Sequence, residues 1–163
     1  MSLAAKFLPE LDTEMASTRR VLERVPLDRF DWKPHPKSRS LGELATHVTE
    51  TARWGIRLGA SSFQVGSEKP PSLRTTEQLL ARFDQNVAES RAAIAARSDE
   101  DMAEEFQVLR PDGSVLFRLP RKGAVRRLLL NHLIHHRGQL TVYLRLNDVP
   151  LPAVYGPTAD ESI

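Results

Sequence analysis

Apolar residues recur at three- and four-residue steps through Leu3, Phe7, Leu11, Met15, Thr18, Leu22 and Val25, the stripe of an amphipathic first helix. Pro26 ends it. Ser40 and Glu43 stand at the spacing of a capping box and open a second helix, whose inward face reads Leu44, His47, Thr51, Trp54 and Leu58. Thr75 and Gln78 repeat that signal ahead of a third helix burying Leu79, Phe83, Val87 and Ile94. From Asp99 to Lys122 the period shortens, and two β-prone runs flank Pro111-Asp112-Gly113, a hairpin signal. A last helix is expected from about Ala124 to Leu146, followed by a proline-rich, non-helical tail. The connections LDRFDWKPHPKSRS and GASSFQVGSEKPPSLR carry the proline, glycine and serine signals of surface crossings. The pattern predicts an all-α fold, a four-helix bundle with long crossover loops and a short β-hairpin-like excursion before the last helix. Residues 1–163 form a single domain in this reading.

Composition narrows the chemistry. A chain of 163 residues buries a core without disulfides or a structural metal, so any metal serves function rather than folding. There is no cysteine, which removes thiolate ligands and a protein thiol nucleophile and leaves His, Asp and Glu for metal work. A net charge of +2, from 23 basic and 21 acidic residues, with 6% aromatic content, argues against a nucleic-acid partner. Acidic residues come too early in MSLAAKFLPELDTE for a signal peptide, and no run approaches the roughly 20 apolar residues of a membrane span. The expectation is a cytoplasmic protein with no membrane partner.

The stretch NHLIHHRGQL, Asn131 to Leu140, holds three of the five histidines. At about 100° per residue, Val125, Leu128, Leu129, His136, Gln139, Tyr143 and Leu146 fall within roughly 60° of His132. His132 and His136 are one turn apart and can reach a common ion, the geometry by which HExxH helices bind zinc. His135 points about 100° away from His136, at the margin of the stripe. A divalent transition metal wants at least three protein ligands, and His47, on the inward face of the second helix, supplies the third. A single histidine on an apolar face is more often a hydrogen-bonded core residue than a ligand. Two imidazoles buried one turn apart are costly without a shared cation, which reverses that preference for the pair. Histidine-rich sites suit zinc, nickel, iron and copper alike. His35 lies in the proline-rich loop and needs no special role.

At this point the chain resembles the DinB family. The likeness runs over nearly the whole length, through FDWKPHPKSRSLGELATHV, HLIHHRGQL and YLRLNDVPLPAVYGPTADE, with Asn131 to Glu161 the more specific part. The resemblance implies a divalent metal with open coordination positions, held by one histidine of the second helix and two at four-residue spacing on the last. On this sequence those are His47, His132 and His136. Zinc or nickel leads as cofactor, with iron or manganese next. The family also implies thiol-dependent transferases and isomerases.

The leading functional expectation is therefore a metal-dependent transferase or isomerase acting on a small-molecule electrophile with an external low-molecular-weight thiol. A metal hydrolase and a non-catalytic metal- or ligand-binding protein are the alternatives. His135, Gln139 and Tyr143 are candidates to support the ligands from behind or to touch substrate. Arg118, Arg121, Lys122, Arg126 and Arg127 offer positive charge to the carboxylates of a thiol, although solvated surface charge explains them more simply. Leu130, Ile134 and Thr141, opposite the histidine face, with Leu133 and Leu144 on its flank, make the last helix apolar on two sides, and a homodimer through that helix or its neighbour is expected.

Overall fold

The computed structural model describes residues 2–162, and every predicted helix is present in it with shifted ends. Helix α1 (Leu3–Leu22) starts where the Ser2 side chain accepts from the Ala5 amide, and it buries Leu11, Met15, Thr18, Val21 and Leu22. A 3-10 turn (Leu27–Arg29) and an extended loop lead to α2 (Leu41–Thr51). The expected capping box between Ser40 and Glu43 is formed in both directions. Phe30 lies so close to α2 that a Cβ on Gly42 would come within 2.3 Å of its ring, so glycine is what lets the loop seat there.

The second predicted helix is two. After α2 the chain breaks at Ala52 and restarts as α3 (Trp54–Arg57). At the break the Ala52 carbonyl accepts from the Ser90 hydroxyl at 2.5 Å, which takes the place of a helical bond. The following crossing was expected to be irregular, yet Ser62–Gln64 forms strand β1. Helix α4 (Thr76–Ala95) opens on the Thr75–Gln78 capping box, and the short α5 (Asp99–Ala103) follows. The predicted hairpin is β2 (Glu105–Leu109) and β3 (Val115–Pro120), turning at Gly113 with φ +84°. β1 adds to it in parallel, with Phe63 opposite Val108. The fold is thus mostly helical with a three-stranded sheet, not all-α. Parallel pairing with a strand distant in sequence is what makes so short a segment extended, and no local pattern announces that.

The last predicted helix begins as α6 (Arg121–Ala124), widens into a π-helical stretch (Val125–Asn131) and continues as α7 (His132–Arg145). A π turn holds more residues than an α turn, so each residue advances by less than the ~100° of an α-helix. Seven such residues rotate the upstream face relative to the downstream one. The buried stripe accordingly runs through Val125, Leu129, Leu130, Leu133, Arg137, Leu140 and Leu144, whereas Leu146, assigned to the core side by uniform periodicity, is 58% exposed. Leu130, Leu133 and Leu144, which suggested a second apolar face, are fully covered by the chain's own core. The inference of a homodimer from that face loses its ground.

Helix α1 packs on α4 and α7, and α2 packs on the same two helices from the other side. Around this core the tail after Val149 is strapped to the helices by ion pairs of Arg20 with Glu161 and Arg145 with Asp160. No helix among the described residues is long and apolar enough to cross a membrane.

Candidate metal centre

His47 sits in the middle of α2, and His132 and His136 occupy the first two turns of α7, the helix that packs against it. The histidine pair lies at the edge of the buried stripe of α7: His136 is buried and His132 half-buried. That edge faces α2. One nitrogen from each of His47, His132 and His136 lies within 4.8 Å of the other two. The Nε2 atoms of His47 and His132 approach to 3.3 Å. Two nitrogens bound tetrahedrally to one ion at 2.0–2.1 Å would stand about 3.3–3.4 Å apart, so this spacing suits a shared cation. A bare imidazole–imidazole hydrogen bond also spans that distance, but it leaves the third ring without a role.

The rings are held from behind. Nδ1 of His136 lies 2.7 Å from Oε1 of Gln139, so that Nδ1–H donates to the amide oxygen and Nε2 is free to accept. The Leu128 backbone, inside the π-helical stretch, faces the His132 ring and favours its protonated form. Such π turns often sit at functional sites.

Electrostatics keep the imidazoles neutral. Burial pushes the His47 pKa down to about 3, with the Arg39 guanidinium and the two other rings adding to the effect. His132 is lowered to about 4, chiefly by burial and then by His136, against the opposing hydrogen bond to Leu128. His136 is lowered by burial, with the bond to Gln139 opposing and His135 and Arg39 reinforcing. Neutral imidazoles present lone pairs, and lone pairs are what a metal needs. The donor set therefore fits a divalent transition ion.

A family model for the DinB family matches residues 1–162. The chain belongs to the DinB family. This DinB protein is 27% identical over 164 residues to the uncharacterised protein YrdA of Bacillus subtilis (strain 168), covering 95% of this chain and 89% of that one. It is 27% identical over 131 residues to YjoA of the same organism, covering 78% and 80%. The YjoA crystal structure superposes with a TM-score of 0.70 at 19% identity over 91% of this chain and 97% of that one. A DinB-like protein from Bacillus cereus ATCC 10987 gives 0.73 at 20% identity, covering 91% and 95%. At these identities the structural likeness speaks to the fold.

The remaining sequence candidates separate clearly. His135 is exposed, with its ring 4.8 Å from that of His136. It does not join the cluster, but lines an open groove with His132, Phe117 and Arg127. Tyr143 packs edge-on against Trp32 at 5.6 Å and belongs to the packing between the loop and α7. Of the basic run, Arg121 is buried, donates to the Leu58 carbonyl and pairs with Glu104. Arg126 pairs with Glu10, Arg118 faces Glu105 at 3.4 Å, and Arg127 stacks over Phe117 at 4.6 Å. They are mostly committed to the fold.

Two further residues bear on the site, and the first, Glu50, departs from the solvated helix face that its sequence position suggests. Glu50, one turn beyond His47, is buried and accepts from Arg82 at 2.8 Å and from Asn86 at 3.3 Å. Burial alone would raise its pKa, and these donors with Arg53 outweigh that and hold it below the ordinary range. The other is Arg39, an exposed loop residue whose charge reaches all three imidazoles.

Proposed function

We propose that His47, His132 and His136 hold a divalent transition metal, zinc or nickel first, and that the protein is a transferase or isomerase using an external low-molecular-weight thiol. The observation that carries this reading is the convergence of three neutral imidazoles from two packed helices at a place reachable from two sides. His47 lines a cleft of about 710 Å³, and His132 lines the open groove of about 320 Å³. Because the Nε2 atoms of these two residues are 3.3 Å apart, the cluster borders both depressions. Two approaches to one centre suit a reaction of two small molecules. The family resemblance points the same way.

When bound, such an ion acts as a Lewis acid that lowers the pKa of a coordinated thiol or water. The chain's own part is to orient and to exclude. Gln139 orients the His136 ring, and the packing of α2 on α7 sets the separation of the imidazoles. His135, on the groove rim beside His132, is placed to take a proton from an incoming thiol. The thiol must come from outside, since the chain has no cysteine. We read α1, α2, α4 and α7 as the four helices of one bundle, with the centre between two of them.

A rival hydrolase would draw on the same His135 as its base, since Glu50, a buried carboxylate one turn beyond His47, is engaged by Arg82 and Asn86. The test is turnover of a panel of electrophiles and esters by zinc-, nickel- and metal-free protein, with and without a small thiol. Conjugate formed only when both metal and thiol are present supports the proposal. Ester cleavage that is metal-dependent and thiol-independent moves the protein to the hydrolases, and no turnover with tight metal binding makes it a binding protein.

A further inference from the structure

The cleft that His47 lines is walled by the 30–40 loop, the Pro70–Arg74 segment and α2, and its charged side chains do not balance. Arg74 faces Asp31 at 3.2 Å, and Lys33 faces Glu43 at 3.6 Å. Glu50 is met from outside the cleft by Arg82 at 2.8 Å and by Arg53 at 3.5 Å. Lys37 and Arg39 remain, with no carboxylate within ion-pair distance among the described residues. A solvated surface explains one such residue easily. It does not explain why the cleft that leads to a cation site carries its unpaired charge as cations, which oppose a bound dication unless an anion lies between them.

The amino terminus of α2 cannot serve that anion. At the start of α2 the amides of Leu41 and Gly42 donate to the carbonyls of Trp32 and Phe30 at 2.9 Å, and the Glu43 amide donates to the Ser40 hydroxyl at 3.2 Å. Recognition of a negative group here falls to side chains. Arg39 offers a planar fork of donors suited to carboxylate or phosphate, and Lys37 a second point charge.

We infer that this cleft recognises an anionic arm, carboxylate or phosphate, of the small molecule that reacts at the histidine centre, with Arg39 as the principal specificity residue and Lys37 as its partner. The inference rests on the reading of that centre as the reactive site. It replaces the basic run of residues 118–127 as the source of attraction, since most of those arginines are already engaged.

The experiment is an amide chemical-shift titration of the full chain, metal-free and zinc-loaded in parallel, with succinate, inorganic phosphate and neutral succinamide. Succinate or phosphate should shift residues 37–47 and 70–74, and succinamide should not. Arg39→Gln should weaken the dissociation constant roughly tenfold or more, the loss of a charge-assisted contact, while zinc content per chain stays unchanged. Lys37→Gln should weaken it less. Which anion binds more tightly names the arm. Shifts that need Arg39 in either form support the inference. No shift in both forms, equal response to succinamide, or indifference to Arg39→Gln overturns it. Because this readout needs neither thiol nor turnover, anion binding that persists in a protein without thiol-dependent activity would remove the transferase reading and leave the cleft assignment standing.

Discussion

Oε1 of Gln139 holds Nδ1 of His136 at 2.7 Å, three residues along the same helix, and so leaves the opposite ring nitrogen free to ligate. A side chain in that place acts on the metal without touching it. Gln139→Leu removes the acceptor and frees the ring to rotate. Metal affinity should fall by about 10- to 100-fold, the usual effect of losing a partner behind a ligand. Gln139 is exposed, so the melting temperature of the metal-free protein should hardly move. Competition against a chromophoric chelator measures the first quantity and circular dichroism the second.

Proton linkage gives a second expectation. In the folded chain His47 and His132 have pKa values near 3 and 4, and in the unfolded chain they return to about 6.5. The unfolded state therefore binds more protons as pH falls below about 6.5. The stability of the metal-free protein should be complete above that value and decline as pH falls toward 4, and His47→Phe should flatten part of the decline. Metal affinity follows a different course. Since His47 and His132 carry no proton to be displaced, affinity should fall less between pH 7.5 and about 5 than at a site made of ordinary histidines. Melts and competition titrations across that range check both statements.

Next to His136, Arg137 turns inward and meets Glu14 of α1 at 2.8 Å, with both side chains over nine-tenths buried. The contact is an ion pair rather than an aligned hydrogen bond, and Tyr155 of the tail completes it by donating to the other Glu14 oxygen at 2.7 Å. Arg137→Met strands a buried carboxylate and should cost about 3–5 kcal/mol. The double variant Glu14→Leu, Arg137→Met should recover much of that loss. A double-mutant cycle by denaturant unfolding separates the two.

Much of this was legible in the sequence where a local rule has a local cause. The capping boxes at Ser40 and Thr75 formed as spelled, and the Pro111-Asp112-Gly113 signal became a turn because Gly113 takes a positive φ. The histidine trio was readable because four-residue spacing puts two rings on one side of a helix whatever its exact rotation. The rotation itself was not readable. Nothing in VRRLLLN distinguishes a π turn from an α turn, so Leu130 and Leu133 were assigned to the wrong side and Leu146 to the core. Strand β1 escaped notice because its cause is a partner some 45 residues away, Phe63 lying opposite Val108. Arg39 looked like any loop arginine, and only the fold brings the cleft to His47.

The central claim is that His47, His132 and His136 form one metal site from which His135 is excluded. Elemental analysis of the purified protein and of four variants, each loaded with zinc or nickel and passed through mild chelation, tests it most directly. One divalent ion per chain is expected in the parent and in His135→Ala. His47→Ala, His132→Ala and His136→Ala should each lose it while remaining folded by circular dichroism, because a site short of one of three ligands cannot hold the ion against a competitor. Loss of metal in His135→Ala with retention in His136→Ala, or a parent protein that retains none, would contradict the account.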